Sequence, residues 1–150
     1  MTEMTDSWRS EAEALRALAP DHILFLCVAN SARSQLAEGI ARSLAPPEVR
    51  ISSAGSVPTT VRPQAIAALR EIGIDASAQT STGIDDVERP VDAVVTLCAE
   101  EVCPVWLEDA FRLHWRLPDP AGASGSNEDV LDAFRGVRDE LVRRLSVVFT

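Results

Sequence analysis

The sequence predicts an α/β domain built on a parallel sheet of four strands. Apolar runs at residues 23–27, 49–53 and 93–97, with a shorter one at 112–115, alternate with helical patterns at 34–44, 63–72 and 127–145. Strands that alternate with helices pair in parallel through right-handed crossovers, and such sheets bind ligands at the carboxyl ends of their strands. The chain of 150 residues, 46% hydrophobic, suits one domain with a sizeable core.

Residues 1–20 read as a helical extension preceding a domain at 21–150. Ser10-Glu11-Ala12-Glu13 fits a capping box, and Trp8, Ala12, Leu15 and Leu18 share a helical face. An extra helix packed on the domain is the reading; a self-association surface is the other. The stretch is too polar for a signal peptide, and no apolar run approaches membrane-spanning length. The expected compartment is the cytoplasm, where thiols stay reduced. Three cysteines, an odd number, suit catalytic thiols better than a disulfide framework. A formal charge of −9 argues against nucleic acid or an anionic membrane as partner.

The first strand runs directly into Cys27-Val28-Ala29-Asn30-Ser31-Ala32-Arg33-Ser34, after which the first domain helix begins. In such a strand-to-helix loop the amides of Val28, Ala29, Asn30, Ser31, Ala32 and Arg33 converge on one point, and the positive helix end favours negative charge there. A thiolate is the nucleophilic form of cysteine, and helix ends and arginines favour it. Arg33 adds a planar fork that grips two oxyanion oxygens, and Ser34 has a hydroxyl to offer the Cys27 sulfur. The plain alternative, a buried cysteine ending a core strand, leaves the arginine six positions on without a purpose.

The third strand ends in Thr96-Leu97-Cys98, with Cys103-Pro104 five positions later. Two thiols at a strand end form a candidate redox pair or two small core residues. A zinc site is disfavoured, since the only histidines are His22 and His114. The fourth strand leads into His114-Trp115-Arg116-Leu117-Pro118-Asp119-Pro120-Ala121, where the two prolines hold Asp119 extended or in a turn. His114 and Trp115 read as structural. The last helix places Leu131, Phe134, Leu141 and Leu145 on one face behind Ser126 or Asn127 as N-cap.

The string from Cys27 to Ser34, with Glu38 beyond it, resembles the oxyanion loop of the low-molecular-weight protein tyrosine phosphatase superfamily. Thr96-Leu97-Cys98 with Cys103-Pro104 is similar to the resolving segment of its thioredoxin-recycled arsenate reductase branch, and His114-Trp115 with Asp119-Pro120-Ala121 to its acid loop. The resemblance covers residues 23–145 and implies a four-stranded parallel sheet flanked by helices. It implies Cys27 as nucleophile toward arsenate, with phosphate and sulfate as analogues, Asp119 as general acid, and a thiol relay through Cys98 and Cys103. It further implies thioredoxin or another external thiol reductant and no tightly bound cofactor. A tyrosine phosphatase is the near alternative, although the chain has no tyrosine. A non-catalytic oxyanion sensor is the distant one.

Three departures stand out. The resolving cysteines are closer together than in well-known members, and Ala32 stands where a further cysteine is common. Some members bind potassium through residues matching Asn30, Glu38 and Ser53 plus an aspartate; here Thr80-Ser81 is followed by Thr82. The short spacing also bears on geometry. A helical turn over residues 99–102 would set the two thiols about 140° apart around the axis and roughly 8 Å along it. Bridging fails beyond about 7 Å between Cα atoms, so the segment is either a loop or is remodelled on oxidation.

Overall fold

The computed structural model describes residues 2–99 and 103–150, with side chains described from Ser7 onward in the first helix. In chain order the elements are α1 (Thr2–Leu18), β1 (His22–Cys27), α2 (Arg33–Leu44), β2 (Arg50–Gly55), α3 (Pro63–Arg70), β3 (Ala93–Thr96), β4 (Phe111–His114) and α4 (Asn127–Val148). Single 3-10 turns lie at Ile84–Asp86 and Pro120–Gly122. The four strands form one sheet in the order β2-β1-β3-β4, and every pairing is parallel. β1 is central and wholly buried, which explains why its sequence is a continuous apolar run rather than an alternation.

Neighbouring residues of β1 point to opposite faces of the sheet and feed two separate cores. Ile23 and Phe25 join the larger one, with Ala93, Val95, Leu113 and Trp115 from the other strands. All four α-helices contribute to this core, and α4 packs on α1, α2 and α3. Its apolar stripe of Phe134, Val137, Leu141, Leu145 and Val148 repeats at three- and four-residue steps. Ser126 caps it, accepting from Asp129 N while the Asp129 carboxylate accepts from Ser126 N. Leu24 and Leu26 face the other way, into a smaller core with Ala54, Val87, Val91, Val94 and Trp106. Among the described residues, this second face is covered by the connections that carry Val87, Val91 and Trp106, and no α-helix contributes to it.

The N-terminal reading needs correction. α1 begins at Thr2, so Ser10 is mid-helix and donates its hydroxyl to Ser7 O; it caps nothing. The apolar face holds for Trp8, Ala12 and Leu15, which are buried, but Leu18 at the last turn is 45% exposed. Three arginines, Arg9, Arg143 and Arg144, lie 4.9–5.5 Å from the Trp8 ring centroid. α3 ends at Arg70, short of the expected residue 72, with Gly73 at φ 83° in the position that turns the chain out of a helix.

Candidate active site

Parallel register places Cys27 at the carboxyl end of β1, opposite Gly55 of β2, and Leu97 N donates to Leu26 O on the other side. Beyond Cys27 the chain loops into α2. Four successive carbonyls of that loop are turned outward and occupied. Val28 O accepts from Val57 N, Ala29 O from Thr59 N and Ser81 Oγ, Asn30 O from Gln35 Nε2, and Ser31 O from Arg62 N. Across a trans peptide the N–H points opposite to the C=O, so the amides of Ala29, Asn30, Ser31 and Ala32 face into the loop. Successive inward amides make an anion nest, and α2 starts at Arg33 with no side-chain cap among the described residues. Asn30 holds φ 49°, the left-handed backbone this curl needs and one that asparagine tolerates.

Cys27 is free and buried, and its Sγ lies 2.8 Å from Ser34 Oγ. The direction of that bond follows from a chain of partners. Asn30 Oδ1 accepts from Thr82 N, which turns the amide nitrogen toward Ser34 Oγ (2.7 Å) and Ser53 Oγ (2.9 Å). Ser53 spends its proton on Glu38 Oε1 at 2.5 Å. Ser34 Oγ therefore accepts from Asn30 and keeps its own proton for the sulfur. Burial pushes the Glu38 carboxyl above the ordinary carboxylate range, opposed by the Ser53 hydroxyl and by Arg42.

The residues matched to potassium ligands are already hydrogen-bonded. Both Glu38 oxygens are engaged, Oε1 by Ser53 and Oε2 by Arg42 at 3.0 Å, while Asn30 Oδ1 faces an N–H and Thr82 brings no carboxylate. No group of three or more His, Cys, Asp or Glu placed to hold a metal ion occurs among the described residues.

Arg33 is buried and donates to Leu117 O at 3.1 Å and Leu97 O at 3.4 Å, tying the loop to the ends of β3 and β4. Its Nη2 lies 4.0 Å from Asp119 Oδ2. Asp119 is extended (φ −80°, ψ 108°), as its flanking prolines require, and its Oδ1 accepts from Ala121 N. Cys98 is buried just past β3 and is disulfide-bonded to Cys103, with Cα atoms 5.6 Å apart. That separation lies within the reach of a disulfide. Residues 100–102 lie outside the described residues, and so does the expected remodelling of that stretch. His114 is exposed and shares a 2.6 Å hydrogen bond with Thr96 Oγ1, and Trp115 is core.

Several contributors are invisible to motif reading. Residues 79–82 brace the loop: Gln79 Nε2 donates to Gln35 Oε1, Gln35 Nε2 to Thr80 O, and Ser81 Oγ to Ala29 O. Gly55 lies so close to the loop that a Cβ there would meet Val28 and Asn30 backbone.

A buried free thiol beside a helix-terminal amide nest, with a buried arginine facing a carboxylate, is chemistry suited to tetrahedral oxyanions. The profile of the low molecular weight phosphotyrosine protein phosphatase family matches residues 22–150. The chain belongs to that family. It is 45% identical over 126 residues to an arsenate reductase of Halalkalibacterium halodurans, covering 82% of this chain and 91% of that protein. To an arsenate reductase of Bacillus subtilis it is 44% identical over the same shares. Among solved structures, an arsenate reductase in its phosphate-binding state superposes with a TM-score of 0.69 at 36% identity, covering 84% of this chain and 94% of that one. A thioredoxin-dependent arsenate reductase of Corynebacterium glutamicum gives 0.59 at 27% identity, covering 96% and 73%. No described helix is long and apolar enough to cross a membrane.

Proposed function

We propose that this protein reduces arsenate to arsenite through Cys27, with Cys98 and Cys103 as the thiol relay. The observation that carries the reading is the Cys98–Cys103 disulfide at the end of β3, the strand paired with the one that delivers free Cys27. Hydrolysis of a phosphate ester needs no such pair.

Arsenate enters the nest between Cys27 and Arg33. Cys27 thiolate attacks arsenic while Asp119 protonates the departing oxygen, which leaves as water. Cys98 thiolate then attacks Cys27 Sγ. The S–As bond breaks with its electron pair going to arsenic, arsenite leaves, and a Cys27–Cys98 disulfide remains. Cys103 thiolate attacks Cys98 Sγ and frees Cys27, and an external dithiol such as thioredoxin reduces the Cys98–Cys103 bond. Such recycling belongs to a reducing compartment, the cytoplasm. Phosphorus does not accept the electron pair in this way, so a phosphate monoester bound at the same loop is hydrolysed.

The experiment is a single turnover of fully reduced protein with substoichiometric arsenate. Arsenite is expected from the wild type and none from Cys27→Ser, while Cys98→Ser loses arsenite yet still hydrolyses an aryl phosphate. A reduced wild type that hydrolyses the aryl phosphate but releases no arsenite makes the chain a phosphatase instead.

A further inference from the structure

Trp106 pins the connection from β3 to β4 to the sheet. Val105 is 68% exposed and Leu107 91% exposed, yet Trp106 between them is 2% exposed. Its ring is seated among Leu24, Leu26, Val87, Val91 and Val94, in the smaller core under the sheet. The Arg89 guanidinium lies 4.7 Å from the ring centroid, donates to Val87 O at 3.1 Å, and pairs with the Glu108 carboxylate. The ring is thus held from below by the sheet and flanked by an arginine that is itself fixed at two points. Trp106 Nε1 has no hydrogen-bond partner among the described residues, so the seat recognises the shape of the ring and not its N–H.

Cys103 is three residues from this anchor, a tether of at most about 11 Å. Cys98 is two residues past the end of β3. Both resolving cysteines therefore hang from the same rigid sheet, one through the strand and the other through Trp106.

We propose that Trp106 is a positioning residue of the thiol relay: its seat in the smaller core holds Cys103 within bonding reach of Cys98. The proposal rests on the relay described above. The step it serves is attack by Cys103 thiolate, its proton already given to solvent, on Cys98 Sγ of the Cys27–Cys98 disulfide. The Cys98–Cys103 bond forms, the Cys27–Cys98 bond breaks, and Cys27 departs as thiolate with the electron pair. No oxidant or reductant is consumed. Freed from its anchor, Cys103 would sit on a loose tether, and its effective concentration at Cys98 would fall.

The test compares reduced wild type, Trp106→Ala and Trp106→Phe in three readouts: arsenite released in one turnover, the disulfide then present by mass mapping, and steady-state reduction with thioredoxin, its reductase and NADPH. Trp106→Ala should release arsenite as the wild type does, since of the three thiols that step uses only Cys27 and Cys98. It should then accumulate the Cys27–Cys98 disulfide, with steady-state turnover lowered by about tenfold or more. Trp106→Phe should recover most of the loss, because it refills the seat. Should Trp106→Ala fail to fold, Arg89→Met takes its place: it removes the flanking cation and the Glu108 pair but leaves the ring, and a partial build-up of Cys27–Cys98 is expected. Formation of Cys98–Cys103 at the wild-type rate in the folded variant overturns the proposal. So does a loss of single-turnover arsenite equal to the loss of turnover, which would make Trp106 merely structural. Cys103→Ser separates the two levels: normal thioredoxin-driven turnover in that variant refutes the relay itself, whatever Trp106 does.

Discussion

Replacing Gly55 by alanine tests whether the oxyanion loop is shaped by the strand beside it. The added Cβ would lie 2.9 Å from Asn30 N and from the Val28 carbonyl carbon, and closer still to Val28 O. Non-bonded carbons rest at about 3.5 Å or more, so loop and strand must separate by at least about half an ångström. Neither side is a flexible side chain. Overpacking of this kind costs about 1–3 kcal/mol, which for a domain of this size lowers Tm by about 2–12 °C. The rate should suffer more than the fold. A misplacement of about 1 Å at a reacting centre is worth roughly a hundredfold, so a loss of between about ten- and a hundredfold in kcat for arsenate is expected. Gly73→Ala is the control: φ is +83° there with nothing within 4 Å of the added carbon, so it should lower Tm through backbone strain and leave kcat unchanged. Melting curves and steady-state arsenate reduction on the three proteins suffice. A Gly55→Ala protein with native Tm and native kcat would refute the close-approach argument, and equal kcat losses in both variants would show that the rate merely follows stability.

Two other outcomes are open to direct measurement. Asp119→Asn keeps an oxygen for Ala121 N but has no proton to give, so aryl phosphate hydrolysis should slow by roughly 100- to 10,000-fold with Tm preserved; an unchanged rate reduces Asp119 to a turn residue. Glu71, at the end of α3, accepts from Arg135 and Arg138 of α4, and these bonds hold its carboxyl well below the ordinary 4.5, at about 2. A carboxyl whose folded value is depressed stabilises the fold above its ordinary value and loses that contribution as pH falls through the folded one. Glu71→Gln should therefore melt below wild type at pH 7, and the gap should close between about pH 4.5 and 2. A gap independent of pH would show that the bonds, not the charge, matter.

What was legible in the sequence had local causes. β1 and β3 could be read because buried parallel strands are apolar runs, and Cys27, Arg33 and Ser34 because strand, loop and helix are contiguous and their spacing is set by one turn of backbone. The start of α1 was misplaced because Ser10-Glu11-Ala12-Glu13 satisfies the capping pattern equally well inside a helix that begins earlier. The brace around the loop stayed hidden for a different reason. Gln35, Gly55, Gln79 and Ser81 are small or polar residues whose partners lie far off in sequence; Ser81 Oγ, for example, reaches Ala29 O across 52 residues. Trp106 was equally silent. A single aromatic in a stretch without periodicity announces neither a strand nor a helix, and only the folded sheet reveals the space it fills.

The uneven covering of the sheet has an evolutionary consequence. The oxyanion loop grows out of the half of the molecule where four helices interlock, and a change in chain length there would disturb every neighbour at once. The two cysteines of the proposed relay lie instead on the connection whose Trp106 and Ala110 pack on the other face, and a connection tolerates insertion and deletion far better than a packed helix. In the proposed relay, electron transfer is thus carried by a connection, and oxyanion binding by the half of the molecule packed with helices. A connection of this kind accepts a different interval between its two thiols without re-engineering the loop that binds the oxyanion.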